Sequence, residues 1–121
     1  MKSIRKTHTE HNLLASFAGE SQTHTRYRLF AEAARKEGYE QIAAIFEETA
    51  SQEQTHAGLF FDRLEGGMLE IKGTYPAGKI SDTLTNLREA RNGEHREWSD
   101  INPLPRNVRV RKRAGLFRAH T

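Results

Sequence analysis

Positions that repeat at alternating steps of four and three organise the first third of the chain. Leu13, Phe17, Glu20, His24, Tyr27, Ala31 and Ala34 fall on one line within residues 9–36, which is one face of an α-helix. Gly38 supplies a stop, because glycine readily takes the left-handed conformation in which helices end. A second helix is predicted over residues 39–64, with Ile42, Phe46, Thr49, Glu53, His56 and Phe60 on its inward line and Gly66-Gly67 beyond it. So short a turn predicts an antiparallel hairpin. Both inward lines carry residues foreign to an apolar core: Glu20 on the first, Glu53 and His56 on the second.

The pattern then changes. MLEIKGTYPAGKI, residues 68–80, mixes Gly, Pro and β-branched residues and predicts an extended crossover rather than a helix. Ser81 or Asp82 can cap a third helix, TLTNLREARNGEHREWSDI, with Leu84, Leu87, Glu94, Glu97 and Ile101 on or near one face and a weak point at Gly93. Pro103 and Pro105 end it. RNVRVRKRAGLFRAHT, the tail, has no clear amphipathic period, and no structure is assigned to it. The expected organisation is a helical unit over residues 1–103 and a divergent basic tail over 104–121.

A chain of 121 residues, 36% hydrophobic and 29% charged, fits one globular domain with a modest core. No run approaches the roughly 18 apolar residues of a membrane span. MKSIRKTHTEH also lacks the apolar stretch of a signal peptide, so the default expectation is a cytoplasmic protein. With no cysteine in the sequence, disulfides, thiolate zinc sites, iron–sulfur clusters and thiol chemistry within this chain are excluded. Any metal must be held by histidine and carboxylates. The net charge of +3 is a property of the tail, since residues 101–121 hold six of the 19 basic residues and none of the 16 acidic ones. Without interleaved aromatics or a known module, that charge does not predict nucleic-acid binding.

Hairpin geometry brings the foreign residues together. Glu20 lies 18 residues before Gly38 and His56 lies 18 after it, so the two stand at one level, with Glu53 a helical turn away. Desolvating carboxylates on an apolar line is costly unless a cation or hydrogen-bond donors compensate. Residues three apart share a helix face, so Glu53 and His56 can offer an oxygen and a nitrogen to one metal cluster. Glu94 and Glu97 repeat that spacing with two carboxylates. Carboxylate and imidazole without thiolate favour iron or manganese, and bridging carboxylates favour a pair of ions. The ordinary alternatives are surface roles: ExxH pairs are common on solvated helices, and Glu94 and Glu97 fit an exposed face beside Arg91 and Arg96. His24 reads as a hydrogen-bonded core or interface histidine, and Trp98 as packing. Tyr27 reads as a core aromatic whose hydroxyl can reach a buried carboxylate.

The strings KTHTEHNLLASFAGESQ, RKEGYEQIAAIFEETASQEQTHA, RLEGG, TYPAG and GEHREW together resemble the diiron domain of rubrerythrin, from Met1 to about Pro103. The resemblance implies an all-α, ferritin-like helical bundle, here in part: a long antiparallel hairpin, a crossover loop and a third helix. It implies Glu20, Glu53, His56, Glu94 and Glu97 as metal ligands and Tyr27 as the tyrosine beside the site. Two iron ions per complete site are implied, with manganese or zinc as alternatives, in a peroxidase that reduces hydrogen peroxide. Rubrerythrins commonly carry a rubredoxin domain whose cysteines are absent from this sequence, so an external electron donor such as a rubredoxin is expected. The family's fourth-helix ExxH also has no counterpart after Glu97. A reading-frame shift would produce such an abrupt change to an Arg-rich tail. A twofold dimer, pooling Glu20, Glu53 and His56 from two chains, would complete a site in another way, similar to the dimeric sites of encapsulated ferritins. A homo-oligomer is expected in either case, because a lone hairpin exposes the face it should bury.

Overall fold

A computed structural model describes residues 2–96, with side-chain environments through Asn92. Three helices follow one another: α1, His8–Lys36; α2, Glu40–Phe61; and α3, Thr83–Arg96. No strand occurs among the described residues, and the chain forms part of a ferritin-like bundle, as the sequence predicts. Trp98, Ile101 and the tail lie outside the described residues.

Local chemistry fixes where the helices begin and end. Thr7 caps α1, its hydroxyl oxygen accepting from the Glu10 amide at 3.2 Å. Glu10 reaches back to accept from the Lys6 amide at 2.9 Å, a variant of the reciprocal Thr-x-x-Glu cap. At the other end Gly38 has φ of +90°. Its amide donates to Arg35 at 3.0 Å and the Tyr39 amide to Ala34 at 2.8 Å, which satisfies two otherwise orphaned carbonyls in a Schellman turn. α2 therefore starts two residues after Gly38 and runs back along α1.

The far ends of the hairpin are tied by the N-terminal arm. Ser3 donates to the Glu65 carboxylate at 2.6 Å, the Ile4 amide donates to its other oxygen at 3.2 Å, and Arg5 donates to the Gly66 carbonyl. These two donors to Glu65, the Ser3 hydroxyl foremost, hold its carboxyl below the usual carboxylate range.

Packing along the hairpin follows a stricter rule than the sequence suggests. The buried line of α1 runs Leu13, Ser16, Glu20, Thr23, Tyr27, Phe30, Ala34, and that of α2 runs Ala43, Phe46, Ala50, Glu53, Ala57, Phe60. Both repeat every seven residues in steps of three and four, the seam of an antiparallel coiled-coil pair. The predicted lines are thus corrected by one residue at most of the alternate turns, while Ala31, predicted inward, is buried together with its neighbour Phe30. Phe17 and His24 flank the α1 seam half-buried, and Ile42, Thr49 and His56 flank that of α2. Alanine occupies alternate seam positions of α2, which lets the two backbones approach.

Near the turn the seam is apolar. Tyr27, Phe30 and Phe46 form a triangle of rings with centroids 5.4–5.8 Å apart, packed with Ala31, Ala34, Ala43 and Ala50. Ala90 of α3 completes this cluster, and Ile42 and Leu87 pack against its edge. α3 begins at Asp82, whose carboxylate accepts from the Thr85 amide at 3.3 Å, as the predicted cap requires. Its buried residues through Asn92 are Thr83, Asn86 and Ala90, whereas Leu84, which the sequence puts on or near one face with Leu87, is 56% exposed. Polar residues win these positions because each is bonded. Thr83 donates to Glu37 through its amide at 3.0 Å and its hydroxyl at 3.1 Å. Asn86 accepts from the Ser81 amide at 2.8 Å and donates to the Ser81 carbonyl at 2.9 Å.

Candidate metal centre

Beyond the aromatic triangle the same seam turns polar. Glu20 and Glu53 are 1% and 2% exposed, on the seams of α1 and α2. His56 stands on the flank of α2, half-buried. One ligand atom from each of the three residues lies within 4.8 Å of the others, and His56 Nδ1 is 3.6 Å from Glu20 Oε2. Two carboxylates buried this deeply beside one imidazole are costly without a cation to share them. Their convergence comes from secondary structure alone: three-residue spacing on α2 and matched level on α1.

Neighbouring side chains brace this arrangement. The His24 ring bonds through Nδ1 to the Ala50 carbonyl at 2.7 Å, tying α1 to α2 one turn from Glu20. His24 is therefore the hydrogen-bonded interface histidine that the sequence suggests, and it stands apart from the three-residue cluster. Tyr27 is fully buried, and its hydroxyl donates to the Ala90 carbonyl of α3 at 3.4 Å. Arg26 extends its guanidinium over the rings of Tyr27 and Phe30, 5.9 and 6.0 Å from their centroids, while its Nε donates to Gln22 at 2.8 Å.

Of the predicted site residues, Glu20, Glu53 and His56 are brought together, and Tyr27 lies on the same seam. Glu94 lies within α3, with its side chain outside the described environments, and Glu97 lies outside the described residues. Five buried polar residues are absent from the sequence reading: Glu10, Ser16, Thr23, Thr83 and Asn86. Glu10, paired with Arg5 at 3.4 Å, belongs to the α1 cap, and the Thr-x-x-Glu string was its signal. Ser16 lies one turn before Glu20, and nothing in its neighbours' residue types marks it.

The chemistry of the donor set fits a transition metal. Carboxylate oxygens with one imidazole nitrogen suit iron or manganese, and zinc accepts the same ligands. Comparison with known proteins decides the family. A family model described as Rubrerythrin matches residues 11–115. The chain is 58% identical to rubrerythrin of Porphyromonas gingivalis over 102 residues, 84% of this chain and 51% of that one. The chain belongs to the rubrerythrin family. It is also 50% identical over 103 residues to rubrerythrin of Nitratidesulfovibrio vulgaris, covering 85% and 54% of the two chains. Nigerythrin of the same organism is 42% identical over 98 residues, 78% of this chain and 48% of its own. The chain thus spans about half the length of these curated relatives. No helix among the described residues is long and apolar enough to cross a membrane.

Proposed function

We propose that this chain is a non-haem diiron protein of the rubrerythrin type, acting as a peroxidase on hydrogen peroxide in oxidative-stress defence. The observation that carries the proposal is the convergence of Glu20, Glu53 and His56 to within 4.8 Å, with both carboxylates buried. Glu20, Glu53 and His56, joined by Glu94 and Glu97, would hold the iron, and manganese or zinc would be bound by the same set. When bound, a ferrous pair supplies the two electrons that, with two protons, convert one hydrogen peroxide to two waters. The chain's own residues do the rest. The two carboxylates provide negative charge and proton acceptors in a dry setting, where both act more strongly than in water. Tyr27, buried on the same seam with its hydroxyl against α3, would be the tyrosine beside the site. Electrons are then resupplied by another protein, such as a rubredoxin.

A second reading is a ferroxidase-like iron protein whose site lies at a homodimer interface. It is favoured by the difference in exposure within the cluster: the His56 side chain is 23% exposed and that of Glu20 is 2%. The cluster is open on the imidazole side, where a twofold copy could bring a second Glu20, Glu53 and His56 to the same axis. Anaerobic iron titration with native mass measurement, followed by stopped-flow oxidation, separates the readings. Two irons per chain and faster oxidation by peroxide than by oxygen are expected for the peroxidase. One iron per chain, bound only in dimers and oxidised by oxygen, would favour the interface site. No stoichiometric iron in either form would sink both.

A further inference from the structure

Serine and threonine inside helices commonly return their hydroxyl proton to the carbonyl one turn back. Thr23 does so, donating to Gly19 at 3.0 Å, and Thr55 donates to Ser51 at 3.1 Å. Ser16 does not: it is 4% exposed, and its hydroxyl has no hydrogen-bond partner in the protein. An unsatisfied buried hydroxyl is costly, and alanine would fit the same seam position at no steric cost. Its place suggests what the hydroxyl serves. Ser16 precedes Glu20 by four residues, so both side chains leave the same face of α1 with Cβ atoms roughly 5–6 Å apart. A buried water needs polar partners, and these two side chains supply a hydroxyl and a carboxylate at a spacing one water bridges.

We propose that Ser16 is a positioning residue of the metal centre: its hydroxyl holds one buried water against the Glu20 carboxylate and so leads protons in from the open end of the hairpin. This rests on the reading of Glu20, Glu53 and His56 as ligands. The balance is that given above: two protons and two electrons per peroxide, two waters formed. The electrons come from the reduced metal pair, and Ser16 serves the protons alone. Seam residues on either side, Leu13 and Thr23, offer no comparable route. The first has no polar atom, and the hydroxyl of the second is engaged with Gly19.

Two measurements test the proposal separately from the ligand reading. Crystal structures of metal-free wild type and Ser16→Ala should show one ordered water bonded to Ser16 Oγ and the Glu20 carboxylate in the first and none in the second. A Ser16 hydroxyl bonded to the Asn12 carbonyl, with no such water, overturns the proposal whether or not metal binds. In iron-loaded protein, Ser16→Ala should keep its iron content, yet be oxidised by peroxide at least about tenfold more slowly. Its solvent deuterium isotope effect should increase, and Ser16→Thr should recover most of the rate. Unchanged rate and isotope effect also overturn it. If neither protein binds iron, the ligand reading fails, and the crystallographic result still decides whether Ser16 holds water.

Discussion

The two halves of the α1–α2 hairpin share one seam and use it differently. Toward Gly38 the seven-residue repeat is filled by Tyr27, Phe30, Phe46 and small alanines, all at most 3% exposed. Toward the open end the same repeat carries Ser16, Glu20 and Glu53, with half-buried His56 beside them. One half generates stability by burying apolar surface. The other uses that rigidity to hold charged groups where they would not settle unaided. A helical pair of constant geometry can therefore be divided along its length, provided the apolar half stabilises enough to support the polar half.

Truncating the apolar half should have the largest effect. Phe46→Ala removes the ring that touches both Tyr27 and Phe30, and a loss of about 3–5 kcal/mol is expected from chemical denaturation. A loss below about 1 kcal/mol would mean that the aromatic triangle does not anchor the fold. In the polar half the expected sign reverses. Glu53→Gln should raise the melting temperature of the metal-free protein, by the equivalent of roughly 1–2 kcal/mol, because one buried charge is removed. The same variant should bind less iron, measured by metal analysis. A fall in metal-free stability would show that Glu53 sits in a stabilising network rather than a poised one, and the division of the hairpin would collapse.

The smallest effect concerns the arm that ties the open end. Ser3 and Ile4 hold the Glu65 carboxyl below its ordinary range, so the tie stabilises above the unfolded value of about 4.3 and is lost as pH falls through the lower folded value. Protection factors of the amides at residues 3–5, exchange rates divided into the intrinsic rate at each pH, should therefore fall in wild type as pH drops below the usual carboxylate range. In Glu65→Gln they should be low and nearly independent of pH. An equal pH response in both proteins would place the tie elsewhere.

Much of this division was legible in the sequence. Gly38 fixes the turn, and equal spacing on either side of it places Glu20 level with His56 by chain position alone. The seam itself was displaced by one residue at most of the alternate turns, Ala31 excepted. Phe17 and His24 are larger and more core-like by residue type than Ser16 and Thr23, and periodicity cannot choose between adjacent positions within one turn. On α2, Ala43, Ala50 and Ala57 go deepest because smallness, rather than hydrophobicity, lets the backbones close. Residue type misleads again on α3, where Leu84 is exposed while Asn86 is buried. The bonds to Ser81 that make this affordable depend on the path of the crossover, which local pattern does not encode.

Ala50 and Ala57 lie one turn on either side of Glu53, against α1. On the proposed ligand assignment they would set the bite of a chelate whose two arms belong to different helices. A larger residue at either position would lengthen that bite without touching a donor atom, and the preference would shift toward bigger ions. Metal selectivity would then be set partly by methyl groups.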